Sequence, residues 1–323
     1  MRLEAANASR WRGHPGHYEA WHLSIVDPAT SASAWVRYSF HVPEGDSPDG
    51  RVAELWLAGH LPDGQPYARR QTYGIDELRT GAGGFPVLLA GSTLEAGRAH
   101  GSMAEAGWDL AWQTGGEPIA YPAAARLGRA QLVTAQPALR VSGSLAVGER
   151  QMEVAGWPGH QSHAWGARHA DSWARAHCAA FAEAGDHVDV VTRRSRTAVG
   201  FSPGVTTASL RAGGESHRSG GAALGLVAEV EYSPGGYVFA VRGPRTRIEG
   251  EVRVPPDQLL GVTYRDPDGD RVYCYHSERA DVSARLLRRR RRRWQGVVDV
   301  SAAGCCSYEY ATRTPVPGIE MVL

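Results

Sequence analysis

The sequence predicts an all-β protein built as two packed antiparallel β-barrels. Three observations carry this. Apolar side chains recur at every second position in about sixteen short segments, the period of a strand with two unlike faces. Gly and Pro, 39 and 19 of 323 residues, punctuate those segments at hairpin-length intervals. Helical signals are confined to two short stretches, 75–78 and 278–287. One closed barrel of so many strands would be of porin size, yet these segments carry charge on both faces; two units of about eight strands each are more economical. The expected units are residues 1–160 and 161–323.

Taken in order, the first strand starts at Tyr18 and places Trp21, Leu23 and Ile25 on one face, before a turn at Asp27-Pro28. Residues 34–42 oppose Val36, Tyr38 and Phe40 to Trp35, Arg37 and Ser39. A loop over 43–50 leads to a third strand over 52–58. Alternation returns at 86–89, 102–112 and 138–153, the last folded at a Val147-Gly148-Glu149 hairpin tip. In the second half, strands are expected at 172–181, 187–192, 222–232, 237–243, 247–254, 261–265, 271–275, 295–301 and 306–312. A flexible Gly-rich loop over 213–221 and a turn at Asp266-Pro267-Asp268-Gly269 connect them.

Composition excludes several classes of function. Thirty-five basic residues against 34 acidic ones leave no global field for nucleic acid. No run of 18 apolar residues offers a membrane span, and the first residues lack the apolar stretch of a signal peptide. Four Cys with no framework spacing fit a reduced, cytoplasmic chain. The six Arg of 288–293 read as a solvated hairpin or loop, since no nucleic-acid motif accompanies them. The sequence does not set an oligomeric state.

The densest chemistry lies between Trp157 and Phe181, which holds three of the ten Trp and four of the thirteen His. His160, His163, Trp165, Arg168 and His169 are expected in a Gly-punctuated connection after a strand closing at Trp157-Pro158-Gly159. On the strand that follows, Trp173, Arg175, His177, Ala179 and Phe181 share one face and small residues the other. The larger face suits a mixed pocket wall. Zinc on His160, His163, His169 and His177 lacks the usual ligand spacing. A Cys178–His177 pair has poor geometry, because neighbours on a strand point apart. Acid–base work by a His beside Asp171, Glu153 or Asp109 is more natural. The competing reading is a satisfied polar seam between domains.

In order along the chain stand Tyr18-Glu19-Ala20-Trp21, Trp35-Val36-Arg37-Tyr38, the run Gly159-His160-Gln161-Ser162-His163-Ala164-Trp165-Gly166-Ala167-Arg168-His169, and the strand beginning at Trp173. The set resembles the bacterial lipocalin-like group that includes carotenoid 1,2-hydratases (hydroxyneurosporene synthases), AttH-like proteins and tocopherol-cyclase-like proteins. The block from Tyr264-Arg265-Asp266 to Tyr275-His276-Ser277 is similar to that group's second domain. The resemblance implies two calycin-type barrels and a hydrophobic, isoprenoid or polyketide-like small molecule that is hydrated, isomerised or cyclised. In the hydratase and cyclase relatives the centre reads Asp-His-x-Trp-Gly, whereas here the Asp place holds Ser162. The most obvious strong acid is therefore missing.

The expected activity is a cofactor-independent cyclase or isomerase, with hydration of an isoprenoid double bond and simple carriage as the other readings. His163, Arg168, Asp171 and Glu19 are the candidate catalytic residues. Trp21, Trp35, Arg37, Trp157, Trp165, Trp173 and His177 are the candidate substrate wall, whose aromatic faces stabilise positive charge developing on carbon. The expected partner is a hydrophobic small molecule, with no nucleic acid, metal or cofactor required.

Overall fold

The computed structural model describes residues 1–45, 50–114, 116–121, 130–197, 200–202, 204–220, 228–291 and 293–323. A short helix, α1 (Leu3–Asn7), precedes the first sheet. That sheet runs through β1 (His17–Val26), β2 (Ser33–Val42), β3 (Val52–His60), β4 (Pro66–Gly74), β5 (Leu78–Thr80), β6 (Val87–Leu89), β7 (Ser92–Leu94), β8 (Arg98–Met103), β9 (Ala106–Trp112), β10 (Ile119–Ala120), β11 (Ala130–Val147) and β12 (Arg150–Gly166). Its order is β4-β3-β2-β1-β12-β11-β9-β8-β7-β6-β5, with β10 beside β11, and it curls into a nearly closed barrel.

The second sheet is a half-barrel. It is built from β13 (Ser172–Cys178) and β14 (His187–Arg194) and, after a small separate pair β15 (Arg196–Thr197) and β16 (Gly200–Phe201), continues through β17 (Val205–Ala212) to β24. Its other strands are β18 (Glu215–Gly220), β19 (Glu229–Ser233), β20 (Gly236–Arg242), β21 (Thr246–Arg253), β22 (Leu260–Arg265), β23 (Arg271–Arg290) and β24 (Arg293–Thr312). The order is β18-β17-β14-β13-β24-β23-β21-β20-β19, with β22 beside β23. The chain passes from one sheet to the other between Gly166 and Ser172.

Alternation decides what each strand buries. Trp21, Leu23 and Ile25 of β1 and Val36, Tyr38 and Phe40 of β2 fill the first barrel. Ala174, Ala176 and Cys178 of β13 face the second interior with Tyr237, Phe239 and Tyr308. The opposite faces of these strands are not left to solvent. Trp35, Trp56 and Ala58 pack on Trp173, Leu260, Val262, Tyr264, Cys274 and Ala311, forming a third apolar cluster between the sheets. The central strands are thus buried on both faces, which explains their mixed composition.

Four expectations need correction. Residues 160–166 are not a connection: β12 runs unbroken through them because β1 pairs on one side and β11 on the other. The segment 278–287 is strand, part of β23, with Ala280, Val282, Ala284 and Leu286 buried at period two. The strand begun at Ser172 stops at Cys178, and Phe181 turns into the second core instead of sharing the face of Trp173. In the Gly-rich stretch, Gly213 and Gly214 make a hairpin turn and Glu215–Gly220 is strand, while Gly221 and most of the strand expected over 222–232 lie outside the described residues. The Arg run closes the β23–β24 hairpin, with Arg292 also outside them.

Leu57 is fully buried in the first core, whereas Val238 is 49% exposed on the second sheet. Leu57→Ala should cost about 2–5 kcal/mol in urea unfolding and Val238→Ala within roughly 0.5 kcal/mol. Equal losses would refute this assignment of the barrel interior.

Candidate active site

Where the sheets face each other, one stretch is a closed polar seam. Arg175 on β13 donates through Nη2 to Ser162 Oγ (2.8 Å) on β12, Thr134 Oγ1 (3.0 Å) on β11 and Asp189 Oδ2 (3.3 Å) on β14. His177 Nδ1 meets the same carboxylate at 2.8 Å and its Nε2 meets Pro137 O at 2.7 Å, while Tyr121 donates to Asp189 Oδ1. Burial would raise the Asp189 pKa, but Arg175 and these hydrogen bonds hold it far below the usual carboxylate range. Burial keeps the nearby His22 and His160 well below the usual imidazole range. Ser162, at the place the resemblance gives to Asp, is buried and spent on Arg175.

His163 and Glu19 meet at 2.8 Å, both fully buried, on the other face of β12 and β1. His163 Nδ1 meets Ala6 O at 2.8 Å, and the rings of Trp21 and Trp165 lie 4.8 Å and 4.6 Å from it. Glu19 also accepts from Ser9 Oγ (2.9 Å) and the Arg10 amide (2.7 Å). The pair therefore ties the N-terminal segment across the end of the first barrel. Trp165 is half-buried there under Arg10, and Trp157 belongs to the first core. Arg168 pairs with Asp268 and Asp270, and Asp171 lies 3.8 Å from Arg313; neither borders an inter-sheet cavity described below.

Trp35, Arg37 and Trp173 come together in a different place. Beyond the closed seam, the facing sheets leave a cavity of about 80 Å³ that all three border. Next to it lies a cleft of about 580 Å³. The two share Tyr18, Arg37, His169 and Tyr264. The guanidinium of Arg37 sits 4.4 Å from the centre of the Tyr264 ring, 5.5 Å from Trp56 and 5.7 Å from Trp35. Arg37 is 9% exposed, its Nε has no hydrogen-bond partner, and among the described residues no carboxylate pairs with it. Each ring is worth roughly 0.5–2 kcal/mol to the cation. Desolvating an ion costs several kcal/mol, so the rings only partly offset it.

His169 is the titratable group beside Arg37. Its Nδ1 meets Asp266 Oδ1 at 2.6 Å, and its amide donates to the same oxygen at 2.8 Å. Asp266 is in turn held by Arg313 Nη1 at 2.5 Å. Burial would raise the Asp266 pKa, but the hydrogen bonds and charges of His169 and Arg313 hold it at about 2. Burial lowers His169 despite that carboxylate, so the ring is neutral near pH 7 with its proton on Nδ1 and its lone pair on Nε2. The ring stacks on Tyr18 at 3.8 Å and on Tyr264 at 5.4 Å. Burial raises both phenols, keeping them as O–H donors. A base oriented by a carboxylate, an unpaired cation and two phenols are the components for moving a proton on a bound carbonyl compound. Among the described residues no three His, Cys, Asp or Glu side chains converge as a metal site.

His169, Asp266, Tyr18, Tyr264 and Trp56 were not among the expected site residues. The aromatic and acidic block starting at Tyr264 carried a signal, but nothing in the sequence said that it folds back onto β2.

No family model matches the chain. Uncharacterized proteins of Mycobacterium tuberculosis strains CDC 1551 / Oshkosh and H37Rv are each 29% identical over 292 residues, 87% of this chain and 85% of theirs. The crystal structure of a candidate AttH from Nitrosomonas europaea aligns over 92% of both chains with a TM-score of 0.56 and 11% identity. That likeness establishes the fold as a two-barrel, lipocalin-like arrangement in which the first sheet is a nearly closed barrel and the second a half-barrel.

Glu19 supplies a pH signature. Burial would raise its carboxyl, but the hydrogen bonds of His163, His17 and Arg10 lower it from 4.5 to about 2. A depressed carboxyl stabilises the fold fully above its unfolded value and loses that contribution as pH falls through the folded one. Stability should therefore drop by on the order of 3 kcal/mol between about pH 5 and pH 2 on this account. Glu19→Gln should flatten that part of a urea-midpoint profile; an unchanged profile would remove Glu19 as its source.

Proposed function

We propose that the protein is a cofactor-independent isomerase or cyclase of a hydrophobic, isoprenoid or polyketide-like small molecule. The molecule would lie in the cleft between the barrels. The observation that carries this reading is His169, fixed by Asp266 in one tautomer beside Arg37, which pairs with no carboxylate among the described residues. In the reaction, Nε2 takes a proton from a carbon adjacent to a carbonyl: a C–H bond breaks, an N–H bond forms, and the electron pair moves onto the carbonyl oxygen. The Tyr18 phenol steadies that oxygen, with the positive field of Arg37 beside it. Return of the proton at a conjugated carbon completes an isomerisation, and closure of the enolate on an acceptor in the same molecule completes a cyclisation. The proton balance closes within the substrate and the imidazole.

The aromatic rings of Trp56 and Tyr264 in the 580 Å³ cleft suit a conjugated body, and that volume is within the usual range for a small-molecule site. Hydration of an isolated alkene would need a stronger acid than a neutral imidazole. Glu19 does not serve, because it is ionised and enclosed under the N-terminal segment. On the same reading the two sheets are the two structural units, divided in the connection between β12 and β13.

Native mass spectrometry after exposure to extract of the producing cell tests the function. A captured small molecule released at unchanged mass with altered retention supports isomerisation or cyclisation. His169→Gln should still capture it but turn it over at least about 10²-fold more slowly. A gain of one water would establish the hydratase reading instead, and a ligand reproducibly bound yet unchanged would establish a carrier.

A further inference from the structure

The cleft is charged as well as aromatic. Arg37, Arg70, Arg265 and Arg271 border it, and Glu54 is the one acidic side chain among its described lining. Glu54 lies 3.9 Å from Arg70, which leaves the other three guanidiniums without a carboxylate among the described residues. The smaller cavity repeats the imbalance. Arg37, Arg175 and Arg193 border it against Glu309 alone. There Arg175 is already committed to Asp189, and Arg193 donates through Nη1 to a backbone carbonyl, Ala130 O, at 3.3 Å. Arg37 is the deepest unmatched cation and the one common to both cavities.

Resting on the function proposed above, we infer that the substrate carries a carboxylate, and that Arg37 is its anchor. A buried guanidinium without an anion is retained against its own desolvation. Three aromatic rings surround the guanidinium of Arg37, whose planar fork can donate two parallel hydrogen bonds to a planar anion. Arg265 and Arg271, both exposed at the cleft, set a positive approach for the same group. A carboxylate on Arg37 places the carbon skeleton along the Trp56 and Tyr264 rings of the cleft, beside His169. The ligand class is therefore a conjugated organic acid, with recognition at one end and proton transfer beside it.

The probes are cis-parinaric acid, a fluorescent polyene carboxylate, and its methyl ester. Wild-type protein should bind the acid at least 10-fold more tightly than the ester, read from the rise in polyene fluorescence. Arg37→Met should abolish that preference, and Arg37→Lys should keep only part of it. Arg98→Met, which changes an exposed ion pair on β8, should retain it. Thermal unfolding supplies a second reading: the unliganded Arg37→Met protein should melt no lower than wild type, because an unmatched buried charge has gone. Acid should raise the melting temperature of wild type but not of Arg37→Met. Equal binding of acid and ester, failure of both to bind, or an Arg37→Met protein that melts lower and keeps the acid preference would each overturn the inference. The isomerase reading fails separately, through a captured ligand that His169→Gln converts as fast as wild type.

Discussion

The hydrogen bonds that Arg175 and Asp189 make to Ser162 and Thr134 tie the two sheets to each other. Face-to-face packing removes water from both sides of β1, β12 and β13, so every polar group in the contact must find its partner inside the protein. Arg175 does this across the sheet boundary, joining Asp189 on its own sheet to Ser162 and Thr134 on the other. Such a pair contributes little net stability compared with an apolar replacement, but it accepts few geometries. It therefore fixes sheet orientation, while the cluster of Trp35, Trp56, Trp173 and Tyr264 supplies the buried apolar area.

The same pair of faces behaves differently a few residues along. Around Arg175 each charge is matched; around Arg37 the matching stops, and rings take the place of carboxylates. The ion-paired stretch joins the two sheets, and the stretch around Arg37 keeps an imidazole and a cation that has no carboxylate partner among the described residues side by side in the cleft wall. This division of labour between a closed seam and an open cleft is the arrangement expected of a preorganised site.

Period-two alternation made most strands legible, because it reports face and burial directly. It assigned Trp21, Leu23 and Ile25 to one side and Trp35, Arg37 and Ser39 to another, as the cores have it. It was misread in 278–287, where charged residues on the outer face of a long strand imitate a helix with a solvated side. It was also misread in 160–166, where glycines suggested a loop although Gly159 simply lets β12 approach the backbone of Ser24. Within the site, residues on one strand face could be grouped, which is why Trp35 with Arg37, and Trp173, stand in the cavity wall. Partners brought together only by the fold could not: Asp266 is 97 residues from His169. Nor does a local pattern reveal that the segment holding Ser9 and Arg10 covers Glu19 and His163.

The pairing of β1 with β12 has a consequence for synthesis. Tyr18 lies opposite Gly166, and Ile25 opposite Gly159. The first strand therefore keeps one hydrogen-bonding edge unpaired until the last strand of its sheet has left the ribosome. Contacts this distant in sequence make closure the slow event, since a long loop must be ordered before any of its bonds form. During that interval the nascent chain displays an apolar strand edge bearing Trp21, Leu23 and Ile25, the kind of surface that chaperones shield. The architecture that encloses the cleft thus leaves the first barrel open while it is being made.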